Sequence, residues 1–256
     1  MISINTNLLD SIVKGIIAGY KDYIDVRKEK KETMQISDAY AFVKSNHIED
    51  QVYKHINQYV NIRKQNAGPS WKLLKFNTKE EQGKNKITFI FKNEKYFDDK
   101  NVTFGKNPLN DKEKKEKKYL KYLMEFNNGL DFKQIQLKSQ ESYQLDADSL
   151  LFKDINNENN HEGNIFAIIT YGIDVISRQL NSAKLWIPNP SDNTAVMYYD
   201  LTEKLLNIIK SEELYIIDDK DLEVLKSDHD LDDIIVDPVY EFGFGIEEEE
   251  MEFDKD

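Results

Sequence analysis

Cysteine is absent from this chain of 256 residues, which excludes disulfides, cysteine-ligated zinc, iron–sulfur clusters and thiol nucleophiles. Long apolar runs are missing as well. The N-terminal segment MISINTNLLDSIVKGIIAGY contains apolar runs of only two or three residues, whereas a membrane span needs about 20 and a signal peptide needs a continuous apolar core. We therefore expect a cytoplasmic protein.

Motifs for the common kinds of catalysis are also absent. The sequence has no GxSxG, GxxxxGK[ST], GxGxxG or HExxH pattern, and its 4 histidines are scattered. Nucleotide chemistry on known phosphate-binding loops and a histidine-based zinc site are both disfavoured. We expect no cofactor and no metal site.

Charge of one sign is concentrated at the C-terminus. Residues 211–256 contain 19 Asp and Glu against 3 Lys, a net charge of −16, while the other 210 residues hold 32 basic and 28 acidic side chains, a net of +4. This division indicates electrostatic pairing, either within the molecule or with a basic partner. The charged share of 32% also indicates that a part of the chain, first of all the acidic tail, is mobile.

The first quarter of the chain is predicted to be helical. Apolar residues recur at helical spacing between residues 7 and 24 and again between residues 48 and 60, so we predict helices as far as Arg63. A Gly-Pro pair at residues 68–69 then breaks the pattern. These features define an N-terminal helical region, residues 1–66.

Strands are predicted in the middle of the chain. The runs 70–76 and 86–92 flank a polar loop, as in a β-hairpin, and residues 164–174 are apolar on both faces, as in a central strand. A helix is expected at residues 202–209. The fold class is therefore α+β, in which the N-terminal helices pack on an antiparallel sheet. The sheet belongs to an α+β domain at residues 67–210, and an acidic tail at residues 211–256 follows, beginning with a short strand.

The acidic tail has three interpretations. It could be a solvating terminus, a mimic of the nucleic-acid backbone that occupies a basic surface, or a cation-binding loop. The third is disfavoured, because residues 228–233 lack the glycine and the distal glutamate of a calcium loop. The carboxylates that a basic partner would contact are Glu241, Glu247, Glu248, Glu249, Glu250, Glu252 and Asp254.

Two weaker patterns concern nucleic acid. A basic pair near an aromatic residue can hold a phosphate backbone and stack a base, and the residues in this pattern are Arg63, Lys64, Trp71 and Lys72. A second pattern is similar to the acid and the (D/E/Q)-x-K element of Mg²⁺-dependent nucleases of the restriction-endonuclease type, and it consists of Asp131, Gln136 and Lys138. Such combinations also arise by chance in a lysine-rich chain.

Three parts of the sequence carry a resemblance to a known family. They are GPSWKLLKF with the following KITFIFKNEKYF, then YLKYLMEFNNGL, then IFAIITYGIDVISRQLNSAKLWIPNP. Their order resembles an uncharacterised bacterial family, number 5986 among the domains of unknown function, over about residues 68–200. Members of such families look like accessory genes of mobile elements and of stress or phage-defence neighbourhoods. The resemblance implies a regulatory or interaction role, and it transfers no site residue.

These patterns favour a non-catalytic interaction protein, comparable to an antitoxin or a nucleic-acid mimic, whose acidic tail engages a basic protein surface. The alternative is a nucleic-acid-binding protein, or a Mg²⁺-dependent nuclease, whose basic body is masked by its own acidic tail. Assembly of a homo-oligomer through the apolar N-terminal helix is a third hypothesis.

Overall fold

The computed structural model describes residues 6–67, 72–79, 86–106, 116–135 and 164–226. The α-helices bounded within these ranges are α1 (Thr6–Thr33), α2 (Lys44–Ile56), α3 (Lys118–Met124), α4 (Thr202–Ser211) and α5 (Asp219–Lys226). The strands are β1 (Val60–Asn66), β2 (Lys72–Thr78), β3 (Lys86–Asn93), β4 (Asn164–Ile173), β5 (Leu180–Asn189) and β6 (Thr194–Asp200).

The six strands form one sheet in the order in which they occur in the sequence. Four of the neighbouring pairs are antiparallel, and the central pair β3–β4 is parallel, from Lys86 opposite Asn164 to Asn93 opposite Tyr171. Short connections force neighbouring strands to run antiparallel, whereas residues 94–163 are enough chain to return to the starting end of β3. The predicted α+β class with N-terminal helices is therefore confirmed, and the sheet is mixed at its centre.

The core lies on both faces of the sheet. One face packs against α1, α2, α4 and α5, and the other packs against α3. β4 lies between them, and its residues 165–172 are all buried, as the two-sided apolar pattern of this segment predicted. The apolar face of α1, from Leu8 to Ile24, is buried in the first of these layers. That face is consequently not available for assembly of a homo-oligomer.

Two glycines let α1 and α2 approach closely. A Cβ atom at Gly15 would lie 2.6 Å from the Cα atom of Val52, and a Cβ atom at Gly19 would collide with the backbone at Ile48. The four-residue spacing places both glycines on one face of α1, and the same spacing separates their two neighbours on α2. The Gly-x-x-x-Gly sequence is thus the contact between the two helices.

A buried asparagine joins the end of α3 to the sheet. The side-chain amide of Asn127 donates to the carbonyl oxygens of Phe166, at 2.9 Å, and of Pro188, at 2.7 Å, and its oxygen accepts from the Phe166 N–H at 2.8 Å. Gly129 then adopts a φ of 87°, which favours glycine, and the helical segment ends there.

Two predicted elements are wrong. The N-terminal helices end at Ile56, and residues 60–66, predicted as helix up to Arg63, form β1 because they pair along their whole length with β2. The strand predicted at the start of the acidic tail is instead a 3₁₀ helix, Glu213–Tyr215, followed by α5. Residues 227–256 lie outside the described residues.

Candidate functional site

A row of lysines on α1 holds the segment that leads into the acidic tail. Lys14, Lys21 and Lys28 are seven residues apart, so they lie on one face of the helix over four turns. They contact residues 212–226, which we call the C-terminal strap. The strap therefore runs along α1 in the same direction as the helix.

Each lysine contacts the next part of the strap. The Nζ atom of Lys14 lies 2.9 Å from Oε2 of Glu212, and this hydrogen bond raises the pKa of the Lys14 ammonium. Lys21 donates to the backbone carbonyl oxygens of Leu214, at 2.7 Å, and of Ile216, at 2.8 Å. The third lysine, Lys28, forms an ion pair with Asp221. These contacts fix the position from which the tail leaves the folded body.

Apolar burial contributes more to docking of the strap than the lysines do. The charged groups of the Lys14 and Lys28 pairs are partly exposed, and exposed ion pairs are worth about 0–1 kcal/mol each. By contrast, burial of a large apolar side chain contributes about 1.5–3 kcal/mol. The strap buries five such side chains in the core: Tyr215, Ile217, Leu222, Val224 and Leu225.

The strap moves the boundary between body and tail to residue 226. Residues 1–226 contain 34 basic and 34 acidic side chains, whereas residues 227–256 contain 13 acidic side chains and one basic side chain, Lys255. The last thirty residues therefore carry the whole formal charge of −12, and the folded body is balanced rather than mildly basic. The predicted partner-binding carboxylates belong to this segment and lie outside the described residues: Glu241, Glu247, Glu248, Glu249, Glu250, Glu252 and Asp254.

Only one residue of the nuclease pattern, Asp131, lies within the described part of the chain. Asp131 is exposed, and its Oδ1 atom accepts the N–H of Gln134 at 3.1 Å, as a helix-capping residue does. It borders an open cleft of about 1020 Å³, with Trp186 and Asp192 on other walls. Within the described ranges, no group of three or more His, Asp or Glu side chains could hold a metal ion. Gln136 and Lys138 lie outside those ranges.

The basic residues of the nucleic-acid pattern lie on both faces of the sheet. Neighbouring side chains on a strand point to opposite faces of the sheet. Arg63 is paired with Lys75 and shares its face, whereas Lys64 is on the other face, as are Leu74 and Lys72. Trp71 lies outside the described residues. The sequence pattern predicted one shared role for these residues, but the strand geometry of β1 places Arg63 and Lys64 on opposite faces of the sheet.

One polar cluster that the sequence did not reveal lies across the sheet on the α3 side. Oε1 of Glu94 accepts from Nζ of Lys184 at 2.7 Å, and Oε2 accepts from the Ser182 hydroxyl. Burial alone would raise the pKa of Glu94, but these two hydrogen bonds lower it below the ordinary value. The carboxylate crosses β4 at Gly172, where a Cβ atom would lie 2.6 Å from Oε2. Because both carboxylate oxygens are engaged, the cluster ties β3 to β5 and is not poised as a general base.

A second hidden carboxyl group belongs to Glu49 of α2. Among the described residues, β2 pairs with β3 through Phe76 and Asn77, and beyond this pair the Leu74 N–H donates to Oε2 of Glu49 at 2.8 Å. Burial raises the pKa of Glu49 to about 8, against the opposing effects of the Leu74 hydrogen bond and of the Lys92 charge. Its position on α2 gave no sequence signal for this role, because the gap between the two strands exists only in the folded sheet.

The chain was compared with protein-family models, with curated proteins and with solved structures, and none of the three comparisons found a match. Among the described residues, no helix has the length and the apolar character needed to cross a membrane. The charges and contacts of this chain are therefore the basis for inferring its function.

Proposed function

We propose that the protein is a non-catalytic interaction protein whose acidic tail, residues 227–256, binds a basic surface on a protein partner. The observation that carries this proposal is the charge division at Lys226: 34 basic and 34 acidic side chains precede the tail, and 13 carboxylates against one lysine lie within it. A regulatory role in a bacterial accessory or defence system, such as that of an antitoxin, is the context that the family resemblance implies.

Charge balance favours a partner over the body of the same chain. The three lysines of the row on α1 are already engaged, since Lys14 and Lys28 are paired with carboxylates of the strap and Lys21 with its backbone. A body without net positive charge offers no long-range attraction to the tail, whereas a basic partner does. Because like charges repel, the tail does not bind a phosphate backbone itself. To a protein that binds nucleic acid, the row of carboxylates resembles a phosphate backbone.

Three versions of the protein test this proposal. They are the full chain, a chain that ends at Lys226, and a full chain whose 13 tail carboxylates are replaced by Asn or Gln. Each is used to retain proteins from the source cells, and the retained partner is then purified and titrated calorimetrically at several salt concentrations. We expect that only the full chain retains the partner, that the partner is basic, and that the affinity falls as the salt concentration rises. Equal retention by the chain that ends at Lys226 would refute the proposal.

The same three versions decide between this proposal and a masked nucleic-acid protein. Each is incubated with labelled DNA and RNA at low and moderate salt, with and without Mg²⁺. Binding or cleavage by the chain that ends at Lys226, and not by the full chain, would show that the tail covers a nucleic-acid surface of its own body. We expect no binding by any of the three.

A further inference from the structure

Large apolar side chains are exposed at six positions among the described residues, and the six belong to only three short segments. The segments are residues 34–37, which follow α1, the turn between β4 and β5 at residues 174–179, and the C-terminal strap. The exposed side chains are Met34 at 44%, Ile36 at 78%, Val175 at 63%, Ile176 at 82%, Leu214 at 74% and Ile216 at 40%. We call these six residues the apolar patch.

The three segments are bonded to the same stretch of α1. The Tyr20 hydroxyl donates to the carbonyl oxygen of Arg178 at 2.5 Å, in the β4–β5 turn. Lys21 donates to two carbonyl oxygens of the strap, and Nη1 of Arg27 donates to the carbonyl oxygen of Ser37 at 2.6 Å. All of these anchors lie within residues 20–27, about 11 Å of helix. The three segments that carry the exposed apolar side chains are thereby held against one stretch of α1.

Such a gathering differs from the ordinary exposure of apolar residues. Single apolar side chains occur on every protein surface and need no explanation, but a group of them in one place indicates that something covers it. Gln179 strengthens the arrangement, because its side-chain amide donates to the carbonyl oxygen of Ile217 at 3.0 Å and so ties the β4–β5 turn to the strap. The turn and the strap, which carry four of the six exposed side chains, are thus joined to each other.

We propose that residues 234–236 of the same chain cover the apolar patch and anchor the acidic tail to the body. The described chain ends at Lys226, five residues after Asp221, whose partner Lys28 lies at the edge of this stretch of α1. Residues 227–233 are seven residues, which span up to about 25 Å when extended. That reach exceeds the length of the anchoring stretch of α1, so the linker is long enough for the segment to return along this stretch.

The composition of the tail matches the surface beside the patch. Residues 234–236, Ile-Ile-Val, are the longest uninterrupted apolar run after Lys226, and four aspartates precede them within residues 228–233. The last turn of α1 carries Lys30 and Lys31, of which Lys30 already forms an ion pair with Glu29. One continuous segment would thus place its carboxylates beside lysines and its aliphatic side chains on the patch. These contacts would continue those that the strap already makes.

An occupant within the same chain also has the advantage of proximity. A segment attached through a short linker has an effective concentration in the millimolar range, above that of a separate molecule in most conditions. The carboxylates of residues 241–254 stay outside this contact and remain free to bind a partner. The anchoring is local to this chain and does not require the proposed partner to exist.

Engineered cysteine pairs test the contact directly, because the natural chain has no cysteine to compete. One full chain carries Ile176→Cys with Ile235→Cys, and a control carries Ile176→Cys with Glu248→Cys. After mild oxidation, we expect an intramolecular disulfide in most molecules of the first variant and in few of the second, by mass spectrometry of peptides. Equal yields in the two variants would overturn the proposal.

A variant without cysteine checks that the apolar run provides the contact. The change Ile234→Ser with Ile235→Ser and Val236→Ser keeps every charge of the tail. We expect hydrogen exchange at residues 34–37 and 174–179 to rise at least threefold in this triple-serine variant and in the chain that ends at Lys226, with no change after Glu247→Gln and Glu248→Gln.

Unchanged exchange in the triple-serine variant would refute the proposal. Protection that depends on protein concentration would also overturn it and would assign the patch to a second copy. Partner binding by the triple-serine variant would leave the proposed function intact in either case.

Discussion

Replacement of Glu49 by Gln should remove a large pH dependence of stability. The Glu49 carboxyl is 7% exposed and keeps its proton up to a pKa of about 8 in the folded chain, because burial disfavours the charged form. In the unfolded chain the group titrates at its ordinary value of 4.5. Glutamine has a similar shape, and its side-chain oxygen can accept the same N–H of Leu74.

The sign and size of the effect follow from the two pKa values. Since the folded pKa is raised, the folded chain holds a proton that the unfolded chain releases, and the contribution to stability is complete below pH 4.5 and lost as the pH rises to 8. A difference of 3.5 units, at about 1.4 kcal/mol per unit, gives about 5 kcal/mol between these limits. The groups that face Glu49 are the Lys92 ammonium, which opposes the shift, and the Tyr171 hydroxyl, whose own pKa is raised by burial.

The measurement is urea unfolding of the natural chain and of Glu49→Gln at half-unit steps between pH 4.5 and 8.5. The difference in the free energy of unfolding should grow steadily in favour of the variant, by about 1.4 kcal/mol for each pH unit. Asp50→Asn is the matched control, because Asp50 is the next residue of α2 and forms an exposed pair with Lys54. Parallel curves for Glu49→Gln and the natural chain would refute the reasoning.

Three further predictions concern stability. Gly19→Ala should lower the free energy of unfolding by about 2 kcal/mol in urea titrations, because the added methyl group pushes α2 away from α1 and the lost packing outweighs the gain in helix propensity. A rise in stability would contradict the close contact. Asn127→Ala should cost about 3 kcal/mol or more, since it leaves three buried backbone groups without their partner, and circular dichroism melting curves will show it; a melting curve equal to that of the natural chain would contradict this. A chain that ends at Lys210 should lose cooperative thermal unfolding, because it lacks the five buried side chains of the strap, while a chain that ends at Lys226 keeps it; the reverse order would disprove the boundary.

Elements with a strong local pattern were predicted well. β3 was expected at residues 86–92 and is Lys86–Asn93, and β4 was expected at 164–174 and is Asn164–Ile173. α4 was expected at 202–209 and is Thr202–Ser211. In each case the apolar pattern is strong within the segment itself, as a continuous apolar run in β4 and a helical stripe in α4, so the neighbours in the fold only reinforce the local preference.

Elements whose state depends on distant residues were predicted poorly. Val60 fits a helical stripe as well as a strand, and its pairing with Thr78 decides in favour of β1. Glu94 and Lys184 are separated by 90 residues, so their contact has no local signature. Likewise, the carboxylates of the strap look like the start of a solvated tail, and only the lysine row of α1 shows that they are docked.

The docking of the strap on α1 has a consequence for synthesis on the ribosome. The chain leaves the ribosome at about 5–20 residues per second, N-terminus first. The ion pair of Lys28 cannot form until Asp221, 193 residues later in the chain, has been synthesised. The hydrogen bond of Tyr20 cannot form until Arg178, 158 residues later, has been synthesised. The apolar face of α1 consequently stays uncovered on that side for about 10–40 s of translation. During this interval the nascent chain exposes apolar surface of the kind that chaperones bind, and completion of the C-terminal strap covers it.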